Sequence, residues 1–327
     1  MNSWCVLPNE ILEYIFQHVD TETATQCQRV CHHWNAVAQK ATYSHITIHN
    51  LSQMKLLMRT LMSCSVGQYV KQLCIKGVFD PLMLEKEIRQ KTFHVLASLT
   101  PRLQGLSIPW VSVKFWACLR TALLNGYWKQ LDTVPQPTSM LQMSDYGLAT
   151  TMMSNRIKSI QLYITYDMRM YQNDDSSVAL WTHHLRAFHY LESLFLKNDK
   201  RSPLHAYDTM IDACPTLKQF KLATHHQGLA IIEHSFFRAK SVVPNYSISH
   251  LELVCDYLSR NDLVYLIQKF KTLKHLMILH EDNKSWHLQE LNGIDFDIVV
   301  QFHDYIRKLE TFNAKIPSSF LNQQLNF

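Results

Sequence analysis

The side chains with the most chemical scope in this sequence are its 18 histidines and 8 cysteines. Zinc takes four such ligands, usually as two close pairs. Cys27, Cys31, His32 and His33 lie close together, and Cys27 and Cys31 would share a face if one helix ran through both. No second ligand pair stands at zinc-finger spacing, so no metal site is expected. The pairs His183-His184 and His225-His226 read as element edges or partly solvated surface. Asp174-Asp175, set between Tyr171 and Ser176-Ser177, reads as a solvated loop capping the next helix rather than as paired catalytic carboxylates. The chain has no G-x-S-x-G elbow, no Walker loop, no H-E-x-x-H and no G-x-G-x-x-G. A triad drawn from distant segments leaves no mark in sequence. No catalytic, cofactor-binding or metal-binding residue is therefore assigned, and the chain is expected to be a non-catalytic protein without a cofactor.

The elements around these residues say more. With 47% hydrophobic and 18% charged residues, the 327-residue chain can bury a sizeable core. The formal charge of +5 is spread without a dense Lys/Arg block, which does not point to nucleic acid as the main partner. Only 7 glycines are present, too few for phosphate-cradling loops and tight hairpins. The opening residues, Met1 to Pro8, lack the basic region and apolar run of a signal peptide. No apolar stretch is long enough to span a membrane. Scattered cysteines in such a chain read as reduced core residues, so the expected location is cytoplasmic and/or nuclear.

Leu7, Ile11, Leu12, Ile15, Phe16 and Val19 recur at helical spacing and predict an amphipathic first helix, with Pro8 and Glu10 suited to its first turn. Asp20 and Thr21 would cap a second short helix through Cys27. A third is expected from about Val30 to Gln39, with Val30, Trp34, Val37 and Ala38 on one face. Three helices this short cannot cover all those side chains among themselves. The stripe needs either a partner protein or the rest of the chain.

Residues Leu7-Pro8-Asn9-Glu10-Ile11-Leu12, followed by Ile15-Phe16, resemble the opening of the F-box motif. Val30-Cys31-His32-His33-Trp34-Asn35-Ala36-Val37-Ala38 resembles its second half, and Trp4 fits a family variant with Trp three residues before Leu-Pro. The family usually has leucines where Ala24 and Cys27 stand, and Thr21 to Gln26 is unusually polar. The resemblance implies docking on the Skp adaptor and, through it, on a cullin. By position, Trp4, Leu7, Pro8, Ile11, Leu12, Ile15 and Phe16 would be anchors. Val30, Cys31 and Trp34 would join them or hold the helices together.

Behind this segment, Asn50 with Gln53 predicts a capped helix through about Cys64. One apolar triplet then returns about every 25 to 36 residues, within the range of repeat architectures. Examples are Val70-Leu73-Ile75, Leu103-Leu106-Ile108, Ile157-Ile160-Leu162, Leu191-Leu194-Leu196, Leu217-Phe220-Leu222, Ile248-Leu251-Leu253 and Leu273-Leu276-Ile278. Trp128-Leu131 and Leu309-Phe312-Ala314 are poorer copies. Helices are expected between copies, at Val178 to Tyr190, Ala206 to Cys214, Asp262 to Phe270 and Phe296 to Arg307, with irregular loops around Thr133 to Met153. A strand backed by a helix stacks only on a like neighbour.

This pattern, with Cys214-Pro215-Thr216-Leu217-Lys218-Gln219-Phe220-Lys221-Leu222 as its best copy, resembles the leucine-rich repeats behind many F-boxes. The Asn or Cys that usually follows the strand is replaced by Asp199, His225 or Asp256. The expected fold is α/β: a three-helix F-box at 1–45, then a curved, degenerate leucine-rich-repeat-like solenoid with a parallel strand per repeat at 46–327. In such solenoids the variable strand positions face cargo, which marks Lys71, Gln104, Lys158, Lys218, His250 and Lys274. They lean basic, which would suit an acidic or phosphorylated protein. The expected role is a substrate-recognition adaptor of a Skp–cullin–F-box ubiquitin ligase. A Skp-bound scaffold without a role in degradation, or a basic repeat-built binder of nucleic acid or other anions, is the alternative.

Overall fold

The computed structural model describes residues 7–76, 90–164, 177–198, 202–224, 242–255, 258–279 and 296–314. Trp4, Asp174-Asp175, Asp199, His225-His226 and Asp256 lie outside them. The chain forms two compact units, Met1–Arg156 and Ile157–Phe327.

The first unit opens with three helices, α1 (Asn9–Gln17), α2 (Thr21–Cys27) and α3 (His32–Ser44). Asp20 caps α2 as its type suggests, its side chain accepting the Thr23 N–H at 2.7 Å. The third helix starts later and runs longer than the apolar spacing indicates. Cys31 is extended and caps α3, with Sγ 3.5 Å from the Trp34 N–H, so Cys27 and Cys31 sit on different helices. Strand β1 (His45–Ile48) follows α3 without a linker. Then come α4 (Leu51–Ser63), a 3-10 turn (Ser65–Tyr69), β2 (Gln72–Ile75), α5 (Gln90–Leu99), β3 (Gly105–Ser107) and α6 (Val113–Leu124). Asn50 caps α4 through the Gln53 N–H at 2.9 Å, and the Gln53 side chain returns to the His49 N–H at 2.7 Å. The strands pair in parallel in the order β1-β2-β3.

Where irregular loops were expected around Thr133 to Met153, a 3-10 turn (Met140–Gln142) leads into helix α7 (Met143–Thr151). Met143, Tyr146, Gly147, Ala149 and Thr150 are buried. Small and polar members dilute that stripe, which hides it from a hydrophobicity pattern. After α6 the chain turns on Gly126 (φ 78°), where Tyr127 N–H bonds Ala122 O and Gly126 N–H bonds Leu123 O. Trp128 follows with φ 51°, a left-handed backbone held by a buried indole whose Nε1–H donates to Thr100 Oγ1 at 3.0 Å. The weak Trp128-Leu131 copy is thus a buried turn beside the sheet: Leu131 N–H bonds Trp128 O, and Thr133 bridges to Gly105.

The second unit is one six-stranded parallel sheet, ordered β4-β5-β6-β7-β8-β9. In chain order it runs β4 (Ser159–Ile164), α8 (Ser177–Leu185), β5 (Ser193–Asn198), α9 (Asp208–Asp212), β6 (Gln219–Thr224), β7 (His250–Val254), α10 (Arg260–Lys269), β8 (His275–Leu279), α11 (Phe296–Ile306) and β9 (Thr311–Ala314). Every expected inter-strand helix is present in this unit, shorter than or within a few residues of the apolar pattern. The register is unbroken, so like side chains line up across the sheet. Ile160, Leu194, Phe220, Leu251, Leu276 and Phe312 form one inward row, and Leu162, Leu196, Leu222, Leu253, Ile278 and Ala314 the next.

A recurring backbone motif builds this stacking. The carbonyl just before a strand accepts two successive N–H groups from the next repeat. Lys158 O takes Glu192 and Ser193, Glu192 O takes Lys218 and Gln219, and Lys218 O takes Ser249 and His250. Lys71 O takes Gln104 and Gly105 in the first unit in the same way. Each repeat therefore satisfies its neighbour's backbone, the property that makes such units stack. The architecture is mixed α/β, with a helical N-terminus followed by solenoid-like parallel-stranded repeats.

Candidate functional site

The first candidate is the three-helix segment. Leu12, Phe16, Ala24, Val37 and Ala38 form its buried core, with Leu7, Val19, Cys27, Trp34 and Ala41 packed against it. Phe16 meets Trp34 edge-on at 5.8 Å. Glu13 Oε1 to Lys40 Nζ (2.7 Å) ties α1 to α3, and the His33 Nε2 to Leu7 O contact (2.9 Å) fixes the start of α1. Ala24 and Cys27, where leucines would be usual, still supply the contact that seats the polar α2. The helix is held by small side chains and by its Asp20 cap. Hydrogen bonds to Thr23 hold the Asp20 carboxyl below its ordinary pKa.

Burial divides the apolar stripe in two. Leu12 and Phe16 point into the core, whereas Pro8, Ile11, Tyr14, Ile15 and Val30 are exposed. Leu7, Cys31 and Trp34 lie between these extremes. Pro8, Ile11 and Ile15 follow i, i+3, i+7 spacing on one side of α1, so they form a continuous surface strip. Contiguous exposed apolar strips on a packed unit mark interaction sites more often than chance exposure does.

The second candidate is the open face of the six-stranded sheet. Its outward rows run Ser159, Ser193, Gln219, His250, His275, Thr311 and then Gln161, Phe195, Lys221, Glu252, Met277, Asn313. Of the six residues marked in sequence, only His250 and its row lie on strand positions of this face. Lys71, Gln104, Lys158, Lys218 and Lys274 each sit one residue before a strand, where the first four carbonyls form the stacking motif and Lys274 O takes Thr311 N–H.

Two of these lysines are charge-matched. Lys218 Nζ lies 3.3 Å from Glu192, and Lys274 Nζ lies 2.8 Å from Glu310. On the outward rows, Lys221 pairs with Glu252 at 2.6 Å and stands 4.9 Å over the Phe195 ring, while Lys197 stands 5.5 Å over Tyr163. The basic lean read from sequence is thus interleaved with carboxylates and aromatic rings. His250 and His275 stack at 4.1 Å.

Two buried polar clusters escaped the sequence reading. Lys269, fully buried at the end of α10, reaches Asp208 at 2.5 Å and Asp212 at 2.6 Å, and Tyr265 Oη donates to Asp208 at 2.7 Å. Burial first, and the neighbouring carboxylates second, push the Tyr265 phenol far above its ordinary pKa. The i, i+4 spacing of Asp208/Asp212 and of Tyr265/Lys269 was the available signal.

At the strand ends, Asn198 is buried and donates to Ser202 Oγ (3.0 Å) and Tyr207 Oη (2.6 Å), with Thr224 in register beside it. The polar post-strand position therefore stands one residue earlier than the family spacing suggests. The first cluster ties repeats together, and the second holds a strand to the turn that follows it. Among the described residues, no group of three or more His, Cys, Asp or Glu could hold a metal ion, and no helix is long and apolar enough to cross a membrane.

Residues 4–49 match the F-box-like family. No curated protein sequence matches the chain. Among solved structures, the leucine-rich repeat-containing protein LegL7 from Legionella pneumophila resembles it at 10% identity and a TM-score of 0.44, over 87% of this chain and 88% of that one. The chain carries an F-box-like domain at its N-terminus, followed by a leucine-rich-repeat-like region of parallel strands backed by helices.

Proposed function

We propose that the chain is the substrate-recruiting subunit of a Skp–cullin–F-box ubiquitin ligase. Residues 1–45 would dock on the Skp adaptor, and residues 46–327 would carry the cargo. The observation that supports this most is the exposed Pro8–Ile11–Ile15 strip on helices whose core is otherwise closed. Helix-in-groove recognition uses apolar anchors at this spacing, and a few such anchors dominate interfaces of this type. Leu12 and Phe16, being buried, would act by holding α1 in place. Pro8, Ile11, Ile15 and Val30, with the half-buried Leu7 and Trp34, would touch the partner. Thioester and transfer chemistry would belong to other subunits, in the cytoplasm and/or nucleus.

The test is capture from cells of the intact chain and of its Ile11→Asp/Ile15→Asp variant. The proposal predicts that Skp adaptor and cullin come with the intact chain and not with the variant. It also predicts that proteins bound to the intact chain are turned over in a cullin-dependent way. Skp binding without such turnover would replace the ligase reading by that of a scaffold, and absence of both would defeat it.

A further inference from the structure

The sharpest concentration of polar chemistry on the open sheet face lies where β7, β8 and β9 begin. His250 and His275 occupy paired register positions, and their rings stack at 4.1 Å with 28° between planes. Each Nδ1 is held by a hydroxyl, His250 by Ser249 Oγ at 2.8 Å and His275 by Thr311 Oγ1 at 2.7 Å. Where the hydroxyl donates, the neutral ring carries its proton on Nε2, facing outward as a donor. One carboxylate already occupies this spot. Glu310 places Oε1 2.8 Å from Lys274 Nζ and Oε2 3.6 Å from His275 Nε2.

The field there favours an anion. Lys274, then His275 and His250, hold the Glu310 carboxyl below its ordinary pKa. The charged and titratable groups facing His250 are His275 from β8, Lys274 from the residue just before it and Glu310 from the lead-in to β9. Burial, His275 and Lys274 depress its imidazolium, and Glu310 opposes them. Yet Glu310 and Lys274 are both more than half exposed, and such pairs hold weakly. The site is matched to an oxyanion but only lightly closed by its own.

We infer that the Lys274–His275–His250 cluster is an oxyanion-receiving site on the open sheet face, which takes a carboxylate or phosphoryl oxygen of a bound protein segment in place of Glu310. A protein segment fits better than a nucleic acid. The rows beside the cluster alternate Lys197, Lys221 and Glu252 with Tyr163, Phe195 and Met277, a mixed surface for side chains rather than a basic track for phosphates. The inference rests on the adaptor reading only in calling that segment cargo. The site itself uses no residue of the F-box-like helices.

The intact chain, with histidine rings followed by NMR and assigned through His250→Gln and His275→Gln, is titrated separately with acetate and with inorganic phosphate at constant ionic strength. Saturable shifts confined to His250 and His275 are expected. Glu310→Gln should tighten them about two- to fivefold, the size of an exposed ion pair. Lys274→Ala in the Glu310→Gln background should remove that gain. Acetate, ionised throughout, should bind more tightly as pH falls from about 7.5 to about 6, because the His250 imidazole gains positive charge, a gain that its burial moves toward lower pH. Response to both anions assigns a general oxyanion site, and response to phosphate alone assigns a phosphoryl site. Shifts spread over all histidines, no gain in Glu310→Gln, or saturation by a mixed-sequence oligonucleotide but by neither anion would overturn the inference. Skp adaptor binding, measured on the same samples, does not depend on the result, so failure here leaves the adaptor reading standing.

Discussion

Ile11 and Ile15 lie one helical turn apart, and Leu12 lies between them, yet the structure gives them opposite work. Ile11 is 48% and Ile15 40% exposed, whereas Leu12 is 0% and Phe16 4% exposed. Full burial of an aliphatic side chain is worth about 1.5–3 kcal/mol. The half still wet on each isoleucine therefore offers roughly 1 kcal/mol to a partner. Ile11→Ala/Ile15→Ala should weaken Skp adaptor binding by about 2 kcal/mol, near thirtyfold. The same variant should move the unfolding midpoint less than Leu12→Ala does, since only part of each isoleucine packs against the fold. Leu12→Ala should cost about 2–5 kcal/mol of stability through its cavity, and it should lower binding only by lowering the folded population. Calorimetric titration with purified Skp adaptor, paired with urea unfolding, separates the two effects. A folded Ile11→Ala/Ile15→Ala protein that binds within threefold of the original would refute the division of the stripe.

The buried Lys269 gives an asymmetric expectation. Lys269→Met leaves Asp208 and Asp212 partly in water and should cost about 1–2 kcal/mol, while Asp208→Asn/Asp212→Asn strands a buried cation and should cost about 3–5 kcal/mol, read from unfolding midpoints. Because the Asp20 carboxyl is held below its unfolded pKa, its capping contribution is complete above the ordinary carboxylate range and is lost as pH falls through the depressed value. The Thr23 amide resonance should follow that loss, and Asp20→Asn should abolish the titration. Burial pushes the Cys214 thiol up to about 12, so iodoacetamide at mildly alkaline pH should label exposed Cys64 readily and Cys214 only on unfolding, as peptide mass mapping would show.

The repeats were legible because a buried parallel strand must show its apolar triplet. Leu194-Leu196 and Leu251-Leu253 fall on inward positions whatever the loops around them do. Caps at Asp20 and Asn50 were legible for the same local reason. Features that depend on register were not. Lys218 meets Glu192, and Lys274 meets Glu310, only after strands pair, so part of the charge that reads as basic along the chain is matched by the neighbouring repeat.

Cys31 looked like a helical residue because the motif runs through it, but its side chain is needed as an N-cap. Helix α7 was hidden because its buried side includes Gly147 and Thr150, which carry little hydrophobic signal. Within the F-box-like helices, the motif marked the apolar stripe. Only packing could say that Leu12 faces inward while Ile11 faces solvent.

A Skp adaptor is the expected partner of the exposed strip of α1. Co-expression of the intact chain with that adaptor, followed by size-exclusion chromatography with mass measurement, tests this most directly. The predicted result is a one-to-one complex that Ile11→Asp/Ile15→Asp abolishes while leaving a folded monomer. A folded intact chain that elutes alone in the presence of excess adaptor would contradict it.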